Sequence, residues 1–392
     1  MNAHSANTVN SSRTPADDSA VMEPRNPRGL SGEGAALPDI ADFERVEILK
    51  DRKTGISAVI AVHSTILGPA AGGCRRWRYG SSDAGLTDAL RLAEGMTYKN
   101  ALAGIPFGGG KSVIFADERE KPSAAQLQVF AGWVNELAGS YVTAEDVGMG
   151  VAQMQTLARH SAFVSGLGRN GVGGDPSPKT AYGVFLGLKR AAQIHLDREH
   201  LYGLRVAVQG LGSVGLSLCH WLARAGAELV VADMDPSRVQ MAVRKYDATA
   251  VEVDDITRVD ADVFAPCALG GVIDEAFARR TSVRIVAGAA NNQLLTADCA
   301  DMLASRNIAY VPDFVINAGG VISVAHEYLL ERGYFSGAGQ HDCEAWVGSR
   351  IAAIGDRVRG ILEESRTSGL NTDRVARRMA QERLAAPRSC AA

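Results

Sequence analysis

The sequence predicts an α/β protein of two domains, the second a doubly wound parallel sheet. Three observations point there: a strand running into a glycine-patterned turn and helix at "VAVQGLGSVG", strand and helix patterns alternating on both sides of it, and a Gly/Pro-rich stretch between the halves. A chain of 392 residues, 46% of them hydrophobic, can bury two cores. Lys plus Arg number 41 and Asp plus Glu 44, with no block of like charge, so neither nucleic acid nor a membrane surface is expected as a partner. No apolar run reaches bilayer length. Small ligands remain.

Residues 1–35 are rich in Ser, Asn, Pro and Gly, lack the apolar centre of a secretion signal and carry Asp17, Asp18 and Glu23. They read as a disordered tail. From Phe43 to Ile66 apolar and polar residues alternate about Lys53-Thr54-Gly55, which reads as a β-hairpin. "GPAAGGCRRW" then reads as a glycine-rich loop, and Leu86 to Ala103 as a helix with Lys99 near its end. After a glycine run "KSVIF" is a short strand, "AAQLQVFAGWVNELAG" a helix, and "YVTAEDVGMG" a strand giving way to a loop. The first domain is placed at 36–170. The Gly/Pro-rich connection and its following helix open the second, at 171–342.

In that second domain a buried strand, Val206 to Gln209, enters Gly210-x-Gly212-x-x-Gly215, then a helix opening with Ser213 and Val214, then a strand, Leu229 to Ala232, ending in Asp233. Gly210 permits the tight turn, Gly212 lets backbone approach a pyrophosphate, and Gly215 lets helix and strand pack. The helix N-terminus favours the anion. Asp233 is placed for ribose hydroxyls and would repel a 2′-phosphate, so a Rossmann-type domain binding NAD rather than NADP is expected. Arg238 nearby tempers that preference. Further strands in "ADVFAPCA", "RIVAGAANN" and "AYVPDFVINAGG" break into small or polar residues at their carboxyl ends, where such sheets bind ligands. From Cys343 to the end, 343–392, the three-and-four spacing of apolar residues reads as helices.

"GIPFGGGKS" invites comparison with a nucleotide-triphosphate loop, but the position that must be glycine is Ile105. A triphosphatase is disfavoured. Six scattered cysteines without a C-x-x-C pair fit free thiols in a reducing cytoplasm. No Cys/His ligand cluster suggests a metal. His63 and His326 read as packing or surface residues. Lys99, Lys111 and Asp146 are the polar candidates for a reaction beside a nicotinamide. Oxidising a Cα–N bond needs a cation for the carboxylate, a base, and a carboxylate to balance the developing iminium. A lysine beside another cation in a dry cleft can serve as a base, and glycines around it would let substrate approach. Residue types alone leave this open, since taken singly Lys99 is more often a solvated helix lysine, Lys111 a strand-edge cation and Asp146 a turn or helix-cap residue.

The segments "LGPAAGGCR", "ALRLAEGMTYKNALAGIPFGGGKSVI", "YVTAEDVG", "GDPSPKTAYGV", "VAVQGLGSVG", "DVFAPCALGGVI", "VAGAANNQL" and "PDFVINAGGVISVA" resemble, in this order, the leucine, phenylalanine and valine dehydrogenases of the glutamate dehydrogenase superfamily. The likeness spans about residues 40 to 386. It implies that Lys99 holds the substrate carboxylate, that Lys111 is the base acting through water, and that Asp146 shares its proton. Ala71, Gly72, Ala144, Val321 and Val324 match positions lining the substrate pocket. Thr180 and Asn292 match positions near nicotinamide and substrate, and Ala290 joins Gly210, Gly212, Ser213, Val214, Gly215 and Asp233 at the cofactor. The implied reaction takes an L-amino acid, NAD and water reversibly to a 2-oxo acid, ammonium and NADH. An uncharged pocket disfavours glutamate. Branched-chain substrates are favoured, with an aromatic amino acid the alternative and a non-catalytic NAD sensor a remote one. The family also implies C-terminal helices returning to the first domain, a cleft that shuts on substrate, and a homo-oligomer. Cys74 and His326 stand where relatives often carry other residues.

Overall fold

In the computed structural model residues 39–116, 121–168, 175–335 and 340–386 are described. The tail at 1–35 and the glycines of the connection at 169–174 lie outside them.

The hairpin forms as β1 (Arg45–Lys50) and β2 (Ser57–Ser64), antiparallel from Arg45 opposite Val62 to Lys50 opposite Ser57. Its turn is held by Asp51, which accepts from the Thr54 hydroxyl, and by Gly55 at φ +74°. The stretch expected to be a loop is instead a strand, β3 (Ala70–Trp77), lying inside the sheet. Helix α1 (Ser82–Ala103) follows, then β4 (Gly108–Phe115), α2 (Ala124–Glu136), β5 (Tyr141–Ala144) and α3 (Val151–Leu157). The five strands run in the order β1-β2-β4-β3-β5, with β4, β3 and β5 parallel.

Glycine is a poor strand former because it packs nothing, but here missing side chains let backbones touch. A Cβ on Gly72 would sit 1.8 Å from the Gly110 carbonyl oxygen, and one on Gly109 would sit 2.1 Å from the Thr97 amide nitrogen of α1. A Cβ on Gly108 would fall 1.8 Å from the Ser64 carbonyl oxygen. The sequence reading expected these glycines to clear room for substrate; at Gly108 and Gly109 protein backbone fills that room instead, and α1 lies directly on β4. Asn100, buried on α1, seals the junction by donating to the Gly108 carbonyl at 2.5 Å. Replacing Gly109 with alanine should therefore destabilise the fold by about 1–3 kcal/mol or more through overpacking against main chain, read as a lower denaturant midpoint.

After α4 (Ser177–Leu196) comes the second sheet: β6 (Arg205–Gln209), α5 (Ser213–Arg224), β7 (Glu228–Ala232), α6 (Pro236–Tyr246), β8 (Thr249–Ala250), β9 (Val263–Pro266), α7 (Glu275–Arg280), β10 (Ile285–Val286), α8 (Asp298–Ser305) and β11 (Ala309–Tyr310). All six strands are parallel, in the order β11-β10-β9-β6-β7-β8. Strand order reverses between β6 and β9, so the ligand crevice opens at their carboxyl ends. The chain closes with α9 (Asp313–Ile316), α10 (Gly319–Glu331), α11 (Gln340–Ser368) and α12 (Thr372–Ala385). Residue 343, expected to begin the last region, lies within α11. The closing helices return to the first sheet's helix: Arg350 of α11 donates to the Gly104 carbonyl at the end of α1, and Arg377 of α12 stacks on Tyr98. Buried Tyr98, Leu102 and Phe107 join Val184, Val208, Ile316 and Val358 in one continuous core. Among the described residues no helix is long and apolar enough to cross a membrane.

Candidate active site

Lys111 points from β4 into a contact 2.6 Å from Asp146, with side chains only 7% and 15% exposed. Gly73 allows it. A Cβ there would lie 2.8 Å from the Asp146 Cβ and 2.6 Å from the Glu145 carbonyl oxygen, so only glycine lets the chain after β5 fold down onto β3. Asp146 and Met149 exchange backbone hydrogen bonds across the ensuing turn, and the Arg76 amide ties it to β3 through the Val147 carbonyl.

Behind this pair stands a second set that sequence reading missed. Arg75 donates to Asp146 at 3.2 Å and to Asp88 at 3.0 Å, and the Tyr79 hydroxyl donates to the same Asp88 oxygen at 2.5 Å. Burial works to raise the Asp146 pKa, but the charges of Lys111 and Arg75 outweigh it and bring the carboxyl down to about 2. Arg75 is in turn held protonated by Asp146 and Asp88 against the cost of its own burial. The "CRR" stretch carried a signal only in hindsight, because its residues were assigned to a loop.

Lys99 reaches from α1 across to the second sheet's side, where its ammonium donates to the Asn291 side-chain oxygen at 3.0 Å. Asn317 donates to that same oxygen at 2.8 Å. The neighbouring Asn292, singled out from sequence, sits at φ 51° and donates its backbone N–H to Asp313 at 2.7 Å. Burial, aided by the charge of Lys111 and opposed by Asp313, brings the Lys99 pKa down to about 8. Burial also raises the Asp313 carboxyl, which Lys99 counters. Lys99 is thus coupled electrostatically to both Lys111 and Asp146, and the Asp146 carboxylate is firmly ionised.

Ala71 and Ala144, on neighbouring strands, and Val321 and Val324, on α10, are all half-buried. Gly72 is buried, and its carbonyl accepts from the Tyr141 hydroxyl at 2.7 Å. The Thr180 hydroxyl donates to the Pro176 carbonyl in the first turn of α4, against Gly320 of α10. At the second sheet Gly210 takes φ +93° with Ala268 against it, and Gly215 packs where a Cβ would meet the Gly210 carbonyl oxygen at 2.0 Å. Gly212, the N-cap of α5, faces open space: no heavy atom lies within 4 Å of its would-be Cβ, and no side chain caps the helix. Exposed Ser213 and half-buried Val214 follow. Asp233 accepts from the Leu211 amide at 2.5 Å, beside the turn, and Arg238 stands 4.0 Å from it. Buried Ala290 donates its N–H to the Pro266 carbonyl at the end of β9, lining the same crevice. An uncapped helix end beside an uncluttered glycine and a positioned carboxylate fits a dinucleotide.

His63 bonds to Thr97 and packs on Phe43, and His326 lies between Phe335 and Trp346. Cys74 is fully buried and its thiol is pushed up to about 12 by that burial. The Cys74 thiol lies close enough to Lys111 and Asp146 to feel both charges.

Residues 43–162 match the family model of the Glu/Leu/Phe/Val dehydrogenase dimerisation domain, and residues 231–338 that of Glutamate/Leucine/Phenylalanine/Valine dehydrogenase. A leucine dehydrogenase from Bacillus cereus is 42% identical over 348 residues, spanning 88% of this chain and 91% of that protein. The chain belongs to the glutamate/leucine/phenylalanine/valine dehydrogenase family. Like its relatives in this family, it is an oxidoreductase acting on the CH–NH2 group. Within the same dehydrogenase family, the crystal structure of L-tryptophan dehydrogenase from Nostoc punctiforme aligns with a TM-score of 0.73 at 37% identity, covering 88% of this chain and 96% of that one. A phenylalanine dehydrogenase from Caldalkalibacillus thermarum is 37% identical over 88% of this chain and 92% of its own.

Proposed function

We propose that the protein carries out the NAD-dependent, reversible oxidative deamination of an apolar L-amino acid, branched-chain substrates such as leucine or valine being favoured. The observation that carries this reading is the convergence of Lys111 with Asp146 at 2.6 Å, with Lys99 coupled to both. When bound, the nicotinamide supplies the acceptor for the hydride from the substrate Cα. Lys99 holds the carboxylate. As a neutral amine Lys111 takes one proton of the water that attacks the iminium carbon. Asp146 balances the charge this creates and relays that proton to the amine, and the C–N bond breaks as the new hydroxyl gives its proton to Lys111, leaving the 2-oxo acid and ammonia. Gly210, Gly212, Ser213, Val214 and Gly215 would hold the pyrophosphate, Asp233 the ribose, and Thr180, Ala290 and Asn292 the nicotinamide end.

The apolar lining of Ala71, Ala144, Val321 and Val324 supports a side chain without charge, since a buried carboxylate would lack a partner. An aromatic substrate is the second reading, favoured by the small side chain of Ala71. The likeness to leucine, tryptophan and phenylalanine dehydrogenases supports both. Assembly as a homo-oligomer in the cytoplasm completes the proposal, supported by the match of residues 43–162 to a dimerisation domain. A spectrophotometric screen of NADH formation over the twenty L-amino acids tests it; absence of turnover with every one would overturn the reading.

Two further outcomes are expected. Below about 8 Lys99 is an ammonium, and above it that charge is lost. The KM for the amino acid should therefore climb with pH above that point, by up to about tenfold per unit, and Lys99→Arg should flatten the climb. For the cofactor, Asp233→Ser removes a charged hydrogen-bond acceptor, so kcat/KM for NAD should fall roughly tenfold or more. Discrimination against NADP should fall with it, measured as the ratio of the two kcat/KM values.

A further inference from the structure

Away from the catalytic cleft, three guanidinium groups converge where α1 ends. Gly104 is the left-handed C-cap of α1, and its carbonyl accepts from Arg350 Nε at 3.1 Å. A Cβ on that glycine would lie 3.2 Å from Arg357 Nη2 and 3.6 Å from Arg383 Nη2. So Arg350 and Arg357 of α11 and Arg383 of α12 share one small volume. Like charges this close repel.

A helix C-terminus attracts a cation, and Arg350 already answers it, stacked on Trp346 at 3.7 Å. The other two exceed that need. Among the described residues neither Arg357 nor Arg383 forms an ion pair or hydrogen bond, and Arg357 Nη1 is buried without a partner. The adjacent carboxylate, Asp356, is turned to Arg190 at 3.4 Å and Arg359 at 3.9 Å. Burial, then the charges of Arg383 and Arg350, bring the Arg357 pKa down to about 10. Buried donors are satisfied by protein, water or ion, and buried charge by an opposite charge.

We propose that Arg350, Arg357 and Arg383 form a binding site for a small phosphate-type oxyanion at the C-terminal cap of α1. Planar guanidinium forks match the paired oxygens of such an anion, and a charge near minus two offsets the mutual repulsion. Chloride offers no such geometry. The bound anion would bridge α1 to α11 and α12, tying the returning helices to the helix that presents Lys99.

Isothermal titration of the full chain with inorganic phosphate, at ionic strength held constant with chloride, tests this. Saturable one-to-one binding is expected, weakened about tenfold or more by Arg357→Gln and likewise by Arg383→Gln, since each removes a charge-assisted hydrogen bond. Should Arg357→Gln fail to fold, Arg383→Gln carries the test, because that side chain is exposed. Absence of saturable binding to the unaltered protein would overturn the proposal. So would phosphate bound equally tightly by the variants, which would put the anion elsewhere, such as the N-terminus of α5.

Discussion

Replacing Lys111 with alanine is expected to cut NADH formation by roughly 10²–10⁴-fold with every amino acid tested, the range for loss of a general acid–base group. The substitution removes the amine 2.6 Å from Asp146 and leaves that carboxylate still bonded to Arg75 at 3.2 Å. The fold should tolerate it, because Asp146 keeps one cation and its turn is tied by backbone bonds to Met149 and Arg76. The loss should appear in kcat more than in KM, since the carboxylate of the substrate is assigned to Lys99. Circular dichroism matching the parent, with near-normal turnover, would overturn the mechanism. Lys99→Ala should behave in the opposite way, with KM rising first.

Asp146→Asn should be costly twice. It keeps the shape but removes the charge, leaving Lys111, 6% exposed, without its counter-ion. Breaking one side of a buried pair costs about 3–5 kcal/mol, so the denaturant midpoint should fall, and activity should drop by about 10²-fold or more. The pH dependence gives a separate readout. The folded pKa of about 2 lies below the ordinary aspartate value of about 3.9. A depressed carboxyl stabilises the fold above its unfolded pKa and loses that contribution as pH falls through the folded one. About 2 kcal/mol should therefore vanish between pH 4 and 2 in the parent. In the Asn variant this part of the acid transition should be missing.

The dinucleotide turn was legible because its signal is local: strand, glycine spacing, helix and acidic residue follow within one unit, and β6, α5, β7 and Asp233 fall where the pattern puts them. The hairpin was legible for the same reason. β3 was not, since glycines carry no alternation of apolar and polar side chains, and a strand whose faces are covered by backbone leaves no periodic trace. Lys99, Lys111 and Asp146 could be named, but their meeting could not be derived from spacing. Family resemblance supplied their roles, and the structure brings Lys111 and Asp146 into contact. Asn291 was out of reach altogether: it meets Lys99 across 192 positions of sequence, a separation at which only the closed fold says who touches whom. The Arg75–Asp88–Tyr79 set failed for a different reason, because misreading β3 as a loop hid the direction of its side chains.

Gly73 has a further consequence for anyone redesigning this enzyme. Since main chain, not rotamer choice, presses the Asp146 turn onto β3, the spacing of amine and carboxylate is set by a contact between peptide planes. Val321 and Val324 lie on α10, apart in sequence from that contact, whereas Ala144 is the strand partner of Gly73 and belongs to it. A single methyl group added at residue 73 would therefore push the Asp146 turn off β3 and change the spacing of amine and carboxylate without replacing either side chain.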